Sequence, residues 1–122
     1  MRLPTTRCLR RHGDFQRVKS QGRSQAGRSV VLNVLNTGTA DPWRCAFITS
    51  AKIGGAVQRN LVRRRLREIV RSVGAEIPPG VWFVTIARWR APESSYEDLR
   101  RDWLKTAVRV GLLKELPAKA AP

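Results

Sequence analysis

The chain has 122 residues and a mass of 13.8 kDa, and its 24 Lys plus Arg against 9 Asp plus Glu give a formal net charge of +15. Apolar residues make up 42% of it, four of them Trp, enough for one modest domain, so the charge rides on a fold and not on a disordered basic tail. No apolar run approaches the roughly 20 residues of a membrane span, and the basic N-terminus lacks the apolar region of a secretory signal; the partner implied is a polyanion.

In chain order, residues 9–21 predict a short helix, with Phe15 and Val18 three apart on one side and Gly22 at its C-terminal stop. Residues 22–28 are polar and Gly-interrupted, a loop or a weak edge strand. The run SVVLNVL (29–35) predicts a strand, NTGTADP (36–42) a turn, and WRCAFIT (43–49) the return strand of a hairpin with a long loop. The connector SAKIGG (50–55) leads into the strongest helical pattern of the chain, 57–73, which AEIPPG (75–80) stops. Next come the strand VWFVTIA (81–87) and a loop to Glu93. Ser94 and Ser95 each stand three residues before an acid, Glu97 and Asp98, as in a capping box, and Leu99, Trp103, Leu104, Ala107 and Val108 supply one apolar face up to Gly111. The expected architecture is a single-domain α+β two-layer sandwich in the order α-β-β-β-α-β-α, with a small mixed sheet of about four strands. Residues 1–8 are expected to be a flexible basic N-terminus, 9–113 the domain, and 114–122 a disordered tail.

The inventory of reactive groups is thin. Cys8 and Cys45 have neither a CxxC partner nor a His cluster, and so read as reduced thiols of a cytoplasmic protein, without a zinc site or a disulfide framework. Of the nine acids, Glu93, Glu97, Asp98 and Asp102 crowd one ten-residue stretch at a helix start, where they suit the helix dipole. His12, the sole histidine, sits in a basic segment. No catalytic residue, no protein-held metal and no small-molecule substrate are assigned on this inventory.

The helix 57–73 carries the chemistry. At about 100° per residue, Val62, Leu66, Ile69, Val70 and Val73 fall in one arc and face a core, while Asn60, Arg63, Arg64, Arg67 and Arg71 fill the arc beside it. Arg65 points to the far flank. Arg63–Arg67 and Arg67–Arg71 are like-charge i,i+4 pairs costing about 0.2–0.5 kcal/mol each, an arrangement that makes sense when a polyanion neutralises it. The planar guanidinium fork suits phosphate, so the stripe predicts phosphate binding. Gly54 and Gly55 leave N–H groups accessible at the helix start, although ordinary turn chemistry is the better account of them.

The run SAKIGGAVQRNLVRRRLREIVR, through Ser50, Lys52, Gly54, Ala56, Val57, Arg59, Asn60, Arg63, Arg64 and Arg67, resembles the S-x-K-x-G…A-V-x-R-N-x-x-R-R-x-x-R segment of the bacterial ribonuclease P protein family. Leu9, Asp14, Phe15, Val18 and Gly22 resemble that family's first helix, and Ile86-Ala87-Arg88 with Ser95-Tyr96-Glu97 its I-A-R…S/T-Y-E stretch. The resemblance implies a protein subunit that assists endonucleolytic removal of the 5′ leader from precursor tRNA. Catalysis would reside in the RNA subunit, with Mg²⁺ held mainly by RNA and substrate. It also implies that Lys52, Arg59, Asn60, Arg63, Arg64, Arg67 and Arg71 bind the catalytic RNA. Phe15, Val18, Lys19 and Arg88 would line a cleft for the single-stranded leader, where aromatic surface binds bases without reading them. A core anchor is the competing role for Phe15. Trp89, in a loop with Arg88 and Arg90, is a further stacking candidate, and Trp43, Trp82 and Trp103 read as core or rim.

Two positions depart from the family pattern. Leu61 stands where a third arginine is frequent, and Lys19 where an aromatic is. From 49 to 81 the chain reads as a β-α-β crossover, right-handed in about 98% of cases by the general rule, whereas the resemblance implies the left-handed, ribosomal-protein-like form. The alternative function is that of a non-catalytic RNA-binding protein, such as a ribosomal protein of related fold.

Overall fold

The elements follow one another as α1 (His12–Gln21), β1 (Arg23–Ala26), β2 (Val30–Asn36), β3 (Arg44–Ile48), α2 (Ala56–Val73), β4 (Val81–Ala87) and α3 (Tyr96–Val110), in a computed structural model that describes residues 8–9 and 11–116. This is the expected α+β order, and the weak segment after Gly22 is an edge strand. The expected flexible ends fall largely outside the described residues. Within them, Leu9 does not open the first helix: its N–H donates to the Cys45 carbonyl at 2.9 Å, and Cys8 bridges Cys45 in parallel along the outer edge of β3.

The sheet order is β1-β2-β4-β3, with β2 antiparallel to both neighbours and β3 parallel to β4. The hairpin expected between β2 and β3 is therefore absent, because β4 lies between them. Both faces of β4 are apolar, Val81 and Phe83 on one and Trp82, Val84 and Ile86 on the other, and such a strand belongs where both faces are covered. The connection 37–43 spans the extra strand spacing, roughly 5 Å. It folds around the start of β4: Thr37 N–H donates to the Gly80 carbonyl at 2.8 Å and Gly80 N–H to the Asp41 carbonyl at 2.6 Å. Gly80 has a φ of +77°, and a Cβ there would collide with the Thr39 carbonyl, so glycine is required on two counts.

The larger core lies on one face of the sheet. There α2 presents Val62, Leu66, Ile69, Val70 and Val73, and α3 presents Leu99, Trp103, Leu104 and Ala107, to Val30, Leu32, Cys45 and Phe83. The polar group of buried Trp103 is satisfied, since its Nε1–H donates to Thr85 Oγ1 at 3.1 Å. Of the two candidate caps of α3, Ser95 is the one used: its hydroxyl accepts from Asp98 N–H at 3.1 Å. The smaller core lies on the opposite face, where α1 packs Val18 against Leu35, Ala46 and Val84, with Leu9 alongside.

Candidate nucleic-acid interface

The helix wheel places the arginines of α2 in one stripe; the structure divides them by what they touch. Arg63 is half-buried and donates through Nη2 to Thr49 Oγ1 at 2.6 Å and through Nη1 to Asn60 Oδ1 at 3.2 Å. It ties the stripe to the end of β3. Arg65, on the other flank, donates to the Ser94 carbonyl at 3.0 Å and so joins α2 to the segment before α3. Arg71 forms an i,i+3 ion pair with Glu68 at 3.5 Å. Arg64 is exposed and Arg67 half-buried, and neither meets a carboxylate of the described residues within ion-pair distance. Arg59 has a buried Nε with no acceptor, a donor whose desolvation is uncompensated unless a ligand supplies an oxygen. Asn60, on the second turn of α2, and Lys52, in the turn Ala51–Ile53 before it, are exposed. Among the described residues the stripe thus holds the anchored Arg63, the ion-paired Arg71 and two arginines without an ion pair, Arg64 and Arg67, with the unsatisfied Arg59 Nε at its start.

The second feature follows from a length mismatch. A ten-residue helix is about 15 Å long, too short to cover the sheet face opposite α2 and α3. The strand register sets the residues of that face in rows. Leu35 pairs with Trp82, and Asn33, Val84 and Ala46 align across three strands; α1 covers these, and Leu35, Asn33, Val84 and Ala46 are buried. The next row, Val31, Ile86 and Ile48, is only partly buried, with Ile86 and Ile48 at the margin of the smaller core. It forms an apolar floor beside α1, and β4 ends just beyond it at Ala87, followed by Arg88.

Of the residues expected at this cleft, Phe15 is half-buried at its wall. With Ala46, Phe47 and Arg67 it lines a cavity of about 250 Å³, so the cleft and the arginine stripe meet across the β3 edge. Lys19 is exposed on α1. Arg88 is exposed as well, and its guanidinium donates to the Gly27 carbonyl at 2.6 Å. Val18 is a correction. Its accessibility is 0%, so it locks α1 to the sheet and offers a ligand no surface.

Two features escaped the reading of the sequence. The Arg17 guanidinium lies 5.4 Å from the centroid of the half-buried Trp82 ring, closing one end of the α1 face. The apolar floor itself was also missed. Its signal was present, since 82, 84 and 86 are apolar in a strand whose other face is already apolar, and one short helix cannot hide that much surface. Among the tryptophans, Trp43 and Trp103 are buried and Trp89 stands 55% exposed, with the Arg90 guanidinium 4.6 Å from its ring centroid. No described helix is long and apolar enough to cross a membrane.

An arginine-rich helix face beside an apolar cleft is a surface for a flexible, charged polymer with aromatic bases, and known proteins with this chain's sequence pattern and fold share one description. The family profile described as Ribonuclease P matches residues 3–111. The ribonuclease P protein component of Symbiobacterium thermophilum is 40% identical over 100 residues, covering 82% of this chain and 87% of its own. That of Gluconacetobacter diazotrophicus is 41% identical over 106 residues, covering 83% and 91%. Among solved structures, the RNase P protein of Staphylococcus aureus matches with a TM-score of 0.82 at 25% identity over 88% of this chain and 97% of its own. The RNase P protein of Thermotoga maritima matches with a TM-score of 0.74 at 27% identity, over 84% and 96%. Sequence and fold agree over nearly the whole length: the chain belongs to the ribonuclease P protein family.

Proposed function

We propose that the chain is the protein subunit of the ribonuclease P ribonucleoprotein, which removes the 5′ leader of precursor tRNA, and that it does so by holding RNA and not by cutting it. The observation that carries this reading is the meeting of two surfaces at Phe15 and Arg67. The α2 stripe takes phosphates of the catalytic RNA. The floor Val31-Ile86-Ile48, walled by Phe15 and flanked by Lys19 and Arg88, takes bases of the single-stranded leader, since apolar and aromatic surface accepts any base. Holding both on one rigid sheet places the leader against the catalytic RNA, an effect of orientation.

Mg²⁺, held in this reading by RNA and substrate, supplies charge neutralisation and water activation when bound. The donors on α2 do not suit a divalent cation of the protein's own. Glu68 is the single acid of that helix and is paired with Arg71, whereas Mg²⁺ takes a full shell of oxygens. The site of action is the cytoplasm, where Cys8 and Cys45 stay reduced.

Reconstitution tests the reading. Precursor tRNA and Mg²⁺ are incubated at physiological salt with the protein, a bacterial ribonuclease P RNA, or both. Faster cleavage by the pair than by RNA alone is expected. Cleavage by the protein alone overturns the division of labour, and an RNA-driven rate indifferent to the protein leaves only a general RNA-binding module. At the cleft, Phe15→Ala is expected to weaken binding of leader-bearing substrate by about 1–3 kcal/mol while binding of mature tRNA stays unchanged. Equal losses for both substrates would make Phe15 a core residue alone.

A further inference from the structure

The exposed face of α2 carries an apolar surface that phosphate binding does not explain. Val57 is 80% exposed, the most exposed large apolar side chain among the described residues. One helical turn later Leu61 is partly exposed. Val57 and Leu61 share a shallow concavity of about 450 Å³ with Asn60, Arg64 and Arg67. Neither apolar side chain belongs to the core between α2 and the sheet, so folding gives no reason for a Val–Leu pair among arginines.

We propose that Val57 and Leu61 form the floor of a nucleobase site for the catalytic RNA, in which one unstacked base lies against the two side chains. The surroundings decide between occupants. Arg64 and Arg67 flank the floor with no carboxylate in the concavity, which suits the phosphates on either side of a base and disfavours a second copy of this basic chain. Asn60 directs its Oδ1 to Arg63, which leaves its amide N–H groups for an acceptor on the edge of the base. Leu61 thereby adds a salt-insensitive apolar contact beside the salt-sensitive ones of Arg64 and Arg67. The inference rests on the reading of α2 as the helix that binds the catalytic RNA, and it names what the centre of that helix recognises.

The test measures the affinity of the full chain for a bacterial ribonuclease P RNA across a series of salt concentrations. Val57→Ser and Leu61→Ser are each expected to weaken binding about fivefold at every salt concentration, with an unchanged slope of log affinity against log salt. Arg64→Ala is expected to lower that slope by about one. Leu61→Arg is expected to raise it by about one, binding well only at low salt. Val57 is too exposed for its replacement to disturb the fold, so it stays informative if a Leu61 variant unfolds. Unchanged affinity of Val57→Ser, or a loss that disappears at high salt, overturns the nucleobase site. Absence of wild-type binding at every salt concentration instead overturns the reading of α2, a distinguishable failure.

Discussion

Arg64 and Arg65 are adjacent, carry the same charge and lie on the same helix, yet the fold gives them different partners. Arg65 is spent on the Ser94 carbonyl, whereas Arg64 is exposed beside the apolar floor of α2. Their alanine variants are therefore expected to separate binding from stability. Arg64→Ala lowers the salt dependence of RNA binding and leaves the melting temperature unchanged. Arg65→Ala leaves the salt slope unchanged and costs stability, about 1.5–3 kcal/mol for a part-buried hydrogen bond from a charged group. Salt titration and thermal melting of the two variants check the contrast, and identical slopes would mean the stripe does not distinguish its arginines. Arg63 is a strut in its own right, through its bond to Thr49. The wheel gave the direction of each arginine correctly. It could not show which were engaged, because Thr49 and Ser94 reach α2 through tertiary packing and not along the helix.

At the scale of elements, the junction between α1 and the sheet hangs on a glycine. A Cβ on Gly22 would stand 2.5 Å from both the Val18 and the Val34 carbonyl oxygens, and its φ of −86° shows that space and not backbone freedom demands glycine. Gly13, in the first turn of the same helix, has nothing within 4 Å of an added Cβ. The same change is thus expected to have opposite signs: Gly22→Ala destabilises by about 1–3 kcal/mol through overpacking, and Gly13→Ala stabilises by up to about 0.5–1 kcal/mol through chain entropy. Urea unfolding measures both, and a neutral Gly22→Ala would mean that α1 sits more loosely on the sheet. Such close approaches mark what periodicity leaves out. Spacing located the three long helices and the strands β2, β3 and β4, because each has a face that must be buried, and left β1, whose residues are mostly exposed, open as loop or strand. It misplaced β3 beside β2, because alternation tells which face a residue takes and not which strand lies alongside. The two-faced apolarity of 81–87 was the sign that this strand is central. The apolar cleft beside α1 was legible only as resemblance, since it arises from a helix shorter than the sheet it covers.

The whole molecule holds 24 basic side chains against 9 acids, and the ion pairs Arg71–Glu68 and Arg101–Asp98 are exposed i,i+3 pairs worth about 0–1 kcal/mol. A compact state with this imbalance repels itself, so its stability is coupled to whatever anion it holds. Simple screening and specific oxyanion binding predict different outcomes. Under screening, chloride and pyrophosphate at equal ionic strength raise Tm alike. If the free arginines of α2 form a phosphate site, pyrophosphate stabilises further by mass action. At ten times its Kd the gain is about 1.4 kcal/mol, roughly 5 °C or more in Tm for a domain of this size. Removing Arg64 and Arg67 together is expected to abolish the excess and leave the chloride response in place, a control that also separates binding from the general salting-out action of polyvalent anions. Equal responses to the two anions in the wild-type chain would make the charge a diffuse property of the surface. An excess that survives the double substitution would move the phosphate site elsewhere, and the arginine face of α2 would lose its claim to the RNA backbone.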